Sequence, residues 1–107
     1  MFDDDIFAVL ANPVRRAILE RLRSGPRAVN DLAAGFDLRR PAVSEHLQVL
    51  RRARLVREEP RGRARYYHLD PGPLAEVERW LKAFHAFAEA RLDALEALLD
   101  EQAQEDV

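Results

Sequence analysis

Four side chains with different hydrogen-bonding chemistry stand at helical spacing in the middle of this chain: Arg40, Ser44, Glu45 and Gln48. A guanidinium offers a planar fork of donors that matches the O6 and N7 acceptors of guanine. An amide can pair both ways with adenine, a carboxylate can accept from the cytosine amino group, and a hydroxyl can meet either base or phosphate. With Pro41 and Arg52, these residues fall on the outward side of a helix that begins near Arg40-Pro41. Val43, Leu47 and Leu50 fall on the opposite, inward side. A helix entering the major groove places its N-terminal residues nearest the base edges, which is where this set is concentrated.

A second cationic group follows. Arg61, Arg63 and Arg65 surround Gly62 between two strand-like segments, Leu55 to Glu59 and Ala64 to Leu69. Flexible arginines at a hairpin tip suit backbone phosphates or a narrow minor groove. Neither Arg39 nor Arg40 is a favourable helix N-cap, and unpaired N–H groups at a helix start form a ready anion site. A phosphate, assisted by Arg39, is therefore expected at that helix end.

The charge balance agrees with this reading. The net charge of −2 conceals a middle, residues 13–69, with 14 arginines against six acids. Residues 70–107 hold ten acids against Arg79, Lys82 and Arg91, and Asp3, Asp4 and Asp5 open the chain. A cationic middle offers phosphate contacts, and acidic ends suit solvent or a protein partner. The absence of cysteine excludes disulfides, thiolate ligands and thiol nucleophiles. No Ser-His-acid spacing, phosphate-binding glycine loop or paired-carboxylate pocket is visible, so an enzyme is not expected. The longest apolar run, Ile6 to Ala11, is too short to span a membrane, and the acidic start is unlike an export signal. The expected compartment is the cytoplasm.

Punctuation sets out the elements that must position these groups. A first helix is expected over about 3–11, presenting Ile6, Phe7, Val9 and Leu10. Asn12-Pro13 reads as N-cap and first helical residue, and Ser24-Gly25-Pro26 ends that second helix, whose Val14, Ala17, Ile18 and Leu22 recur at helical spacing. Arg27-Ala28-Val29 reads as an extended link, Asn30 as the cap of a brief helix, and Gly35 as its left-handed end. A short helix and a longer one across a tight turn make a helix-turn-helix, here about 30–54. The hairpin after it, about 55–69, is a wing. Tyr67 and Leu69 share one strand face and read as core. Asp70-Pro71-Gly72-Pro73 then breaks the chain before a long helix at about 73–101. One mainly α domain with a small β-hairpin (α+β), about five helices over residues 1–107, is the expected fold.

The run Pro41-Ala42-Val43-Ser44-Glu45-His46-Leu47-Gln48-Val49-Leu50, with Leu55-Val56, Gly62-Arg63 and Tyr66-Tyr67-His68-Leu69, resembles the ArsR family of bacterial winged-helix repressors. Ala11-Asn12-Pro13-Val14-Arg15-Arg16-Ala17-Ile18-Leu19 is similar to that family's second-helix opening. The resemblance implies a homodimeric repressor that binds an inverted repeat in double-stranded DNA through Arg40, Pro41, Ser44 and Glu45, with the first and last helices at the dimer interface. Two departures stand out. Arg39 occupies a position usually held by Ser, and Arg54 one usually held by Gly, where a left-handed backbone is disfavoured for a residue with a Cβ.

The last helix carries Leu74, Val77, Leu81, Phe84, Ala88, Leu92, Leu95 and Leu99 on one strip, with Trp80 and Phe87 on a second. So wide an apolar surface calls for a partner, and a two-fold interface is expected from Ile6, Phe7, Leu10, Trp80, Phe84, Phe87, Ala88, Leu92 and Leu95. Metal-sensing members of the family use cysteines on the third helix or paired histidines and carboxylates on the last. Here there is no cysteine, and His85 with Glu89 supplies too few ligands for a closed site. The resemblance is to the non-metal branch, with no cofactor. Trp80, Phe84 and Phe87 read as packing residues, so nothing supports a small-molecule effector.

Overall fold

The computed structural model describes residues 5–105 of the chain. The order of elements is α1 (Ile6–Leu10), α2 (Pro13–Leu22), β1 (Arg27–Ala28), α3 (Val29–Ala34), α4 (Arg40–Arg52), β2 (Val56–Arg61), β3 (Ala64–Leu69) and α5 (Leu74–Glu105). Two compact units result, Met1–Glu76 and Val77–Val107. Among the described residues, five helices and a winged helix-turn-helix match the expected fold class.

Helix α1 is capped by Asp5, whose carboxylate accepts from the Phe7 N–H, and buries Ile6 and Val9. Residues 3 and 4 of the helix expected over 3–11 lie outside the described residues. The expected cap of α2 is present: Asn12 Oδ1 accepts from the Val14 and Arg15 N–H groups at 2.9 and 3.1 Å, with Pro13 opening the helix. Ile18, Leu19 and Leu22 turn into the core. Arg16 reaches back to the Leu10 carbonyl at 2.7 Å and ties α1 to α2.

The extended link is a third strand. Arg27 pairs with Tyr67 and Ala28 with Tyr66, giving an antiparallel sheet in the order β1-β3-β2. That pairing holds Ala28 extended (ψ 157°), so the chain turns into α3 directly at Val29. Ala28 is therefore the N-cap, without a side-chain bond, and Asn30 lies inside the first turn instead of capping it. Gly35 also departs from expectation. Its φ of −92° is not left-handed. Glycine stands there because the Arg21 guanidinium fills the space a Cβ would occupy.

Helix α4 buries Val43, Leu47 and Leu50 completely, against Ile18 and Leu32, which are equally buried. It ends in the conformation expected of trouble at Arg54, whose φ is +63°. The Arg54 N–H bonds the Arg51 carbonyl and the Leu55 N–H bonds the Leu50 carbonyl, both at 2.9 Å, a Schellman closure normally made by glycine. Leu50 and Leu55, both fully buried, supply the apolar contact that accompanies such a closure.

The first strand of the wing runs on to Arg61, past its expected end at Glu59, while the second spans Ala64–Leu69 as expected. Arg61 pairs with Ala64, leaving Gly62-Arg63 as a two-residue turn with Gly62 at φ +58°. Pro60 is accommodated because β2 is an edge strand. Tyr67 is buried as expected, and Leu69 is partly so.

The second unit is the remainder of α5. Its apolar side chains are exposed: Trp80, Leu81, Phe84, Phe87, Leu92, Leu95, Leu98 and Leu99. Trp80 and Phe84 pack on each other with ring centroids 4.8 Å apart. No helix among the described residues is long and apolar enough to cross a membrane.

Candidate nucleic-acid interface

The outward side of α4 carries the residues named for base contact. Arg39, Arg40, Pro41, Glu45, Gln48 and Arg52 are exposed, and Ser44 is half-buried. Helical periodicity separates them from the buried stripe by roughly half a turn, so the apolar core presents this face as a unit. The start of the helix lacks a side-chain cap, as expected. Arg39 is the N-cap and makes no side-chain cap bond. Pro41 has no N–H to satisfy, and the Ala42 N–H bonds back to the Arg39 carbonyl at 3.0 Å. Backbone alone thus closes much of an end that was expected to present several open donors.

A cleft of about 340 Å³ lies between this helix start and the wing. Ala28 lines it from β1, Val29 and Asn30 from α3, Arg40 from α4, and Arg63, Ala64 and Arg65 from the wing. Three guanidinium groups and no carboxylate border it, which is anion-attracting chemistry.

The wing has two chemically distinct faces, each organised by one carboxylate. On the face shared with Val56 and Tyr67, Glu58 takes an ion pair from Arg65 on one oxygen. Its other oxygen accepts from the Tyr67 hydroxyl at 3.1 Å and from Arg51 of α4 at 3.4 Å. Burial pushes the Glu58 carboxyl upward, but the hydrogen bonds from Arg65 and Tyr67 and the two nearby cations outweigh it, leaving it below its ordinary value. Burial and the adjacent carboxylate raise the Tyr67 hydroxyl. On the opposite face, Glu59 is hydrogen-bonded to His68 Nε2 at 2.9 Å and to Arg61 at 2.8 Å, and these two contacts lower its carboxyl. Arg61 also lies over the Tyr66 ring, 4.5 Å from its centroid. Tyr66 and His68, to which the pattern assigns no role, therefore belong to this outer cluster.

The three wing arginines differ accordingly. Arg63 is exposed in the turn, whereas Arg61 and Arg65 are each held by a carboxylate of the same hairpin. The alternation of β2 places Glu58 and Glu59 on opposite faces, a signal available in the sequence once the register is known.

The residues named for dimer contact also separate. Ile6 is 5% exposed and committed to its own core, Leu10 is partly covered, and Phe7 is at the surface. On α5, Trp80, Phe84, Phe87, Ala88, Leu92 and Leu95 are all exposed. His85 and Glu89 meet at 2.9 Å on α5, and among the described residues no three potential ligands gather into a metal-binding group. The two ligands His85 and Glu89 are too few by themselves for a closed metal site.

Comparison with known proteins agrees with this geometry. A family model of helix-turn-helix domains matches residues 10–59. The chain is 46% identical over 91 residues to the HTH-type transcriptional regulator Rv2034 of Mycobacterium tuberculosis, spanning 80% of this chain and 85% of that protein. It is 30% identical over 81 residues to the transcriptional repressor SdpR of Bacillus subtilis, spanning 76% of this chain and 90% of that protein. A solved ArsR family transcriptional regulator, RHA00566, superposes with a TM-score of 0.69 at 37% identity, covering 78% of this chain and 87% of that one. Fold, helix-turn-helix and relatives converge, and the chain belongs to the ArsR family of winged helix-turn-helix transcriptional regulators, DNA-binding proteins and not enzymes.

Proposed function

We propose that this regulator acts in the cytoplasm as a repressor, a two-fold homodimer that occupies an inverted-repeat operator without a metal cofactor. One observation carries the reading: Val43, Leu47 and Leu50 are fully buried while Arg40, Glu45 and Gln48 of the same helix are exposed. Base contacts fall to Arg40, Pro41, Ser44, Glu45 and Gln48, and phosphate contacts to Arg39, Arg61, Arg63 and Arg65. Two copies are supported by α5, whose Trp80, Phe84, Phe87, Leu92 and Leu95 are each at least half exposed. Apolar surface of that extent on one helix marks an association site. In a dimer the two α4 helices would address half-sites about 34 Å apart. In this reading the winged unit and α5 act as one domain. The metal-free reading is supported by the lack of cysteine and the two-residue His85–Glu89 pair.

The test is selection of duplexes from a random pool by the purified protein, with its mass in solution measured in parallel. Enrichment of a palindrome by a dimer is expected. A monomer, or a pool without an enriched sequence, would refute the proposal.

A further inference from the structure

We infer that Glu58 is a positioning residue for DNA recognition, setting the angle between the wing and α4. Three anchors on two elements converge on its carboxylate: Arg51 in the last turn of α4, and Arg65 and Tyr67 on β3. Its side chain is only 9% exposed. Tyr67 stands directly opposite it in the strand register. Beyond this pair the hairpin runs on to an exposed turn at Gly62-Arg63. Val56 and Tyr67 fix the base of the wing in the core, and the Glu58–Arg51 contact adds a tie from β2 to the last turn of α4. A small rotation at that level displaces Arg63 at the tip, because the strands act as a lever.

The electrostatics make the inference testable. A carboxylate near a surface that meets a polyanion weakens attraction for every duplex alike. A residue acting only through its charge would therefore oppose binding, and its neutralisation would strengthen binding to all sequences. A residue that aligns wing and helix acts in the opposite direction, and only on sequences that both elements can engage together. The inference rests on α4 and the wing being the duplex-facing surface.

Two probes separate the effects: a duplex selected from a random pool by the wild-type protein, and a shuffled duplex of equal length. For Glu58→Gln, affinity for the selected duplex should fall about tenfold, comparable to one mismatched base pair, while the shuffled duplex binds as well or better. Glu58→Asp, which keeps the charge, should recover part of the discrimination. A parallel gain on both probes, or unchanged discrimination, would overturn the inference. If thermal melting shows Glu58→Gln unfolded, Tyr67→Phe removes one donor to the same carboxylate and should lower discrimination about threefold. Unchanged discrimination in that variant would overturn it equally. If the wild-type protein itself fails to distinguish the probes, the duplex-facing assignment fails, and this inference falls with it.

Discussion

Arg21 Nη2 donates to the Gly35 carbonyl at 2.8 Å, and its guanidinium fills the space that a Cβ on residue 35 would need. The same group donates to the Leu32 carbonyl at 3.2 Å and lies over the Phe36 ring, 4.2 Å from its centroid. A side chain of α2 thus closes the C-terminal end of α3 and fixes the first helix of the DNA-binding motif. Arg21→Ala should cost about 1–2 kcal/mol through lost charge-assisted hydrogen bonds at a partly exposed site. Gly35→Ala should cost a similar amount by displacing the guanidinium. The double variant should be less destabilised than the sum, since the new methyl enters vacated space. Urea unfolding of the four proteins checks this, and simple additivity would contradict it.

Arg54 holds a left-handed backbone at the end of α4. Arg54→Gly removes the Cβ clash while keeping both closing hydrogen bonds, and should stabilise the protein by about 0.5–1 kcal/mol. A lower urea midpoint for the variant would show that the Arg54 side chain makes a compensating contribution.

Arg39→Ser should supply the missing cap of α4. The gain should lie near the lower end of the usual range, about 0.5–1 kcal/mol, because Pro41 needs no partner and Ala42 already has one. Affinity for a selected duplex should fall at the same time, since a cation is lost. Stronger binding would contradict the role assigned to Arg39.

Both wing carboxylates titrate below their ordinary value of 4.5 in the folded chain. The unfolded chain then binds protons more readily than the folded one in acid. Their contribution to stability is present in full above pH 4.5 and is lost as pH falls through the lowered values. The stability gap between wild type and the double variant Glu58→Gln/Glu59→Gln should therefore narrow between about pH 5 and pH 3. A gap independent of pH would show that these carboxylates act through packing alone.

Much of this molecule is written locally. Asn12-Pro13 and the stripe Val43-Leu47-Leu50 each encode an element through capping or periodicity, and each acts there as expected. What local pattern does not reveal is set by partners distant in the chain. The strand Arg27–Ala28 exists because β3 pairs with it, and that pairing displaces the cap from Asn30 to Ala28. Gly35 is explained by Arg21, and the two acids of the wing by Arg51, Arg65, Arg61 and His68. The run Arg57-Glu58-Glu59 reads as part of a strand, but the partners its two acids meet are set by the register with β3.

Duplex affinity measured against salt tests the central claim, that α4 and the wing grip a polyanion. If a dimer neutralises about 6–10 phosphates, affinity should fall about 10³–10⁵-fold between 50 and 200 mM salt. Arg63→Ala should weaken selected and shuffled duplexes alike and make that slope shallower by about one for each phosphate contact removed. Binding that ignores salt, with Arg63→Ala indistinguishable from wild type, would contradict the account.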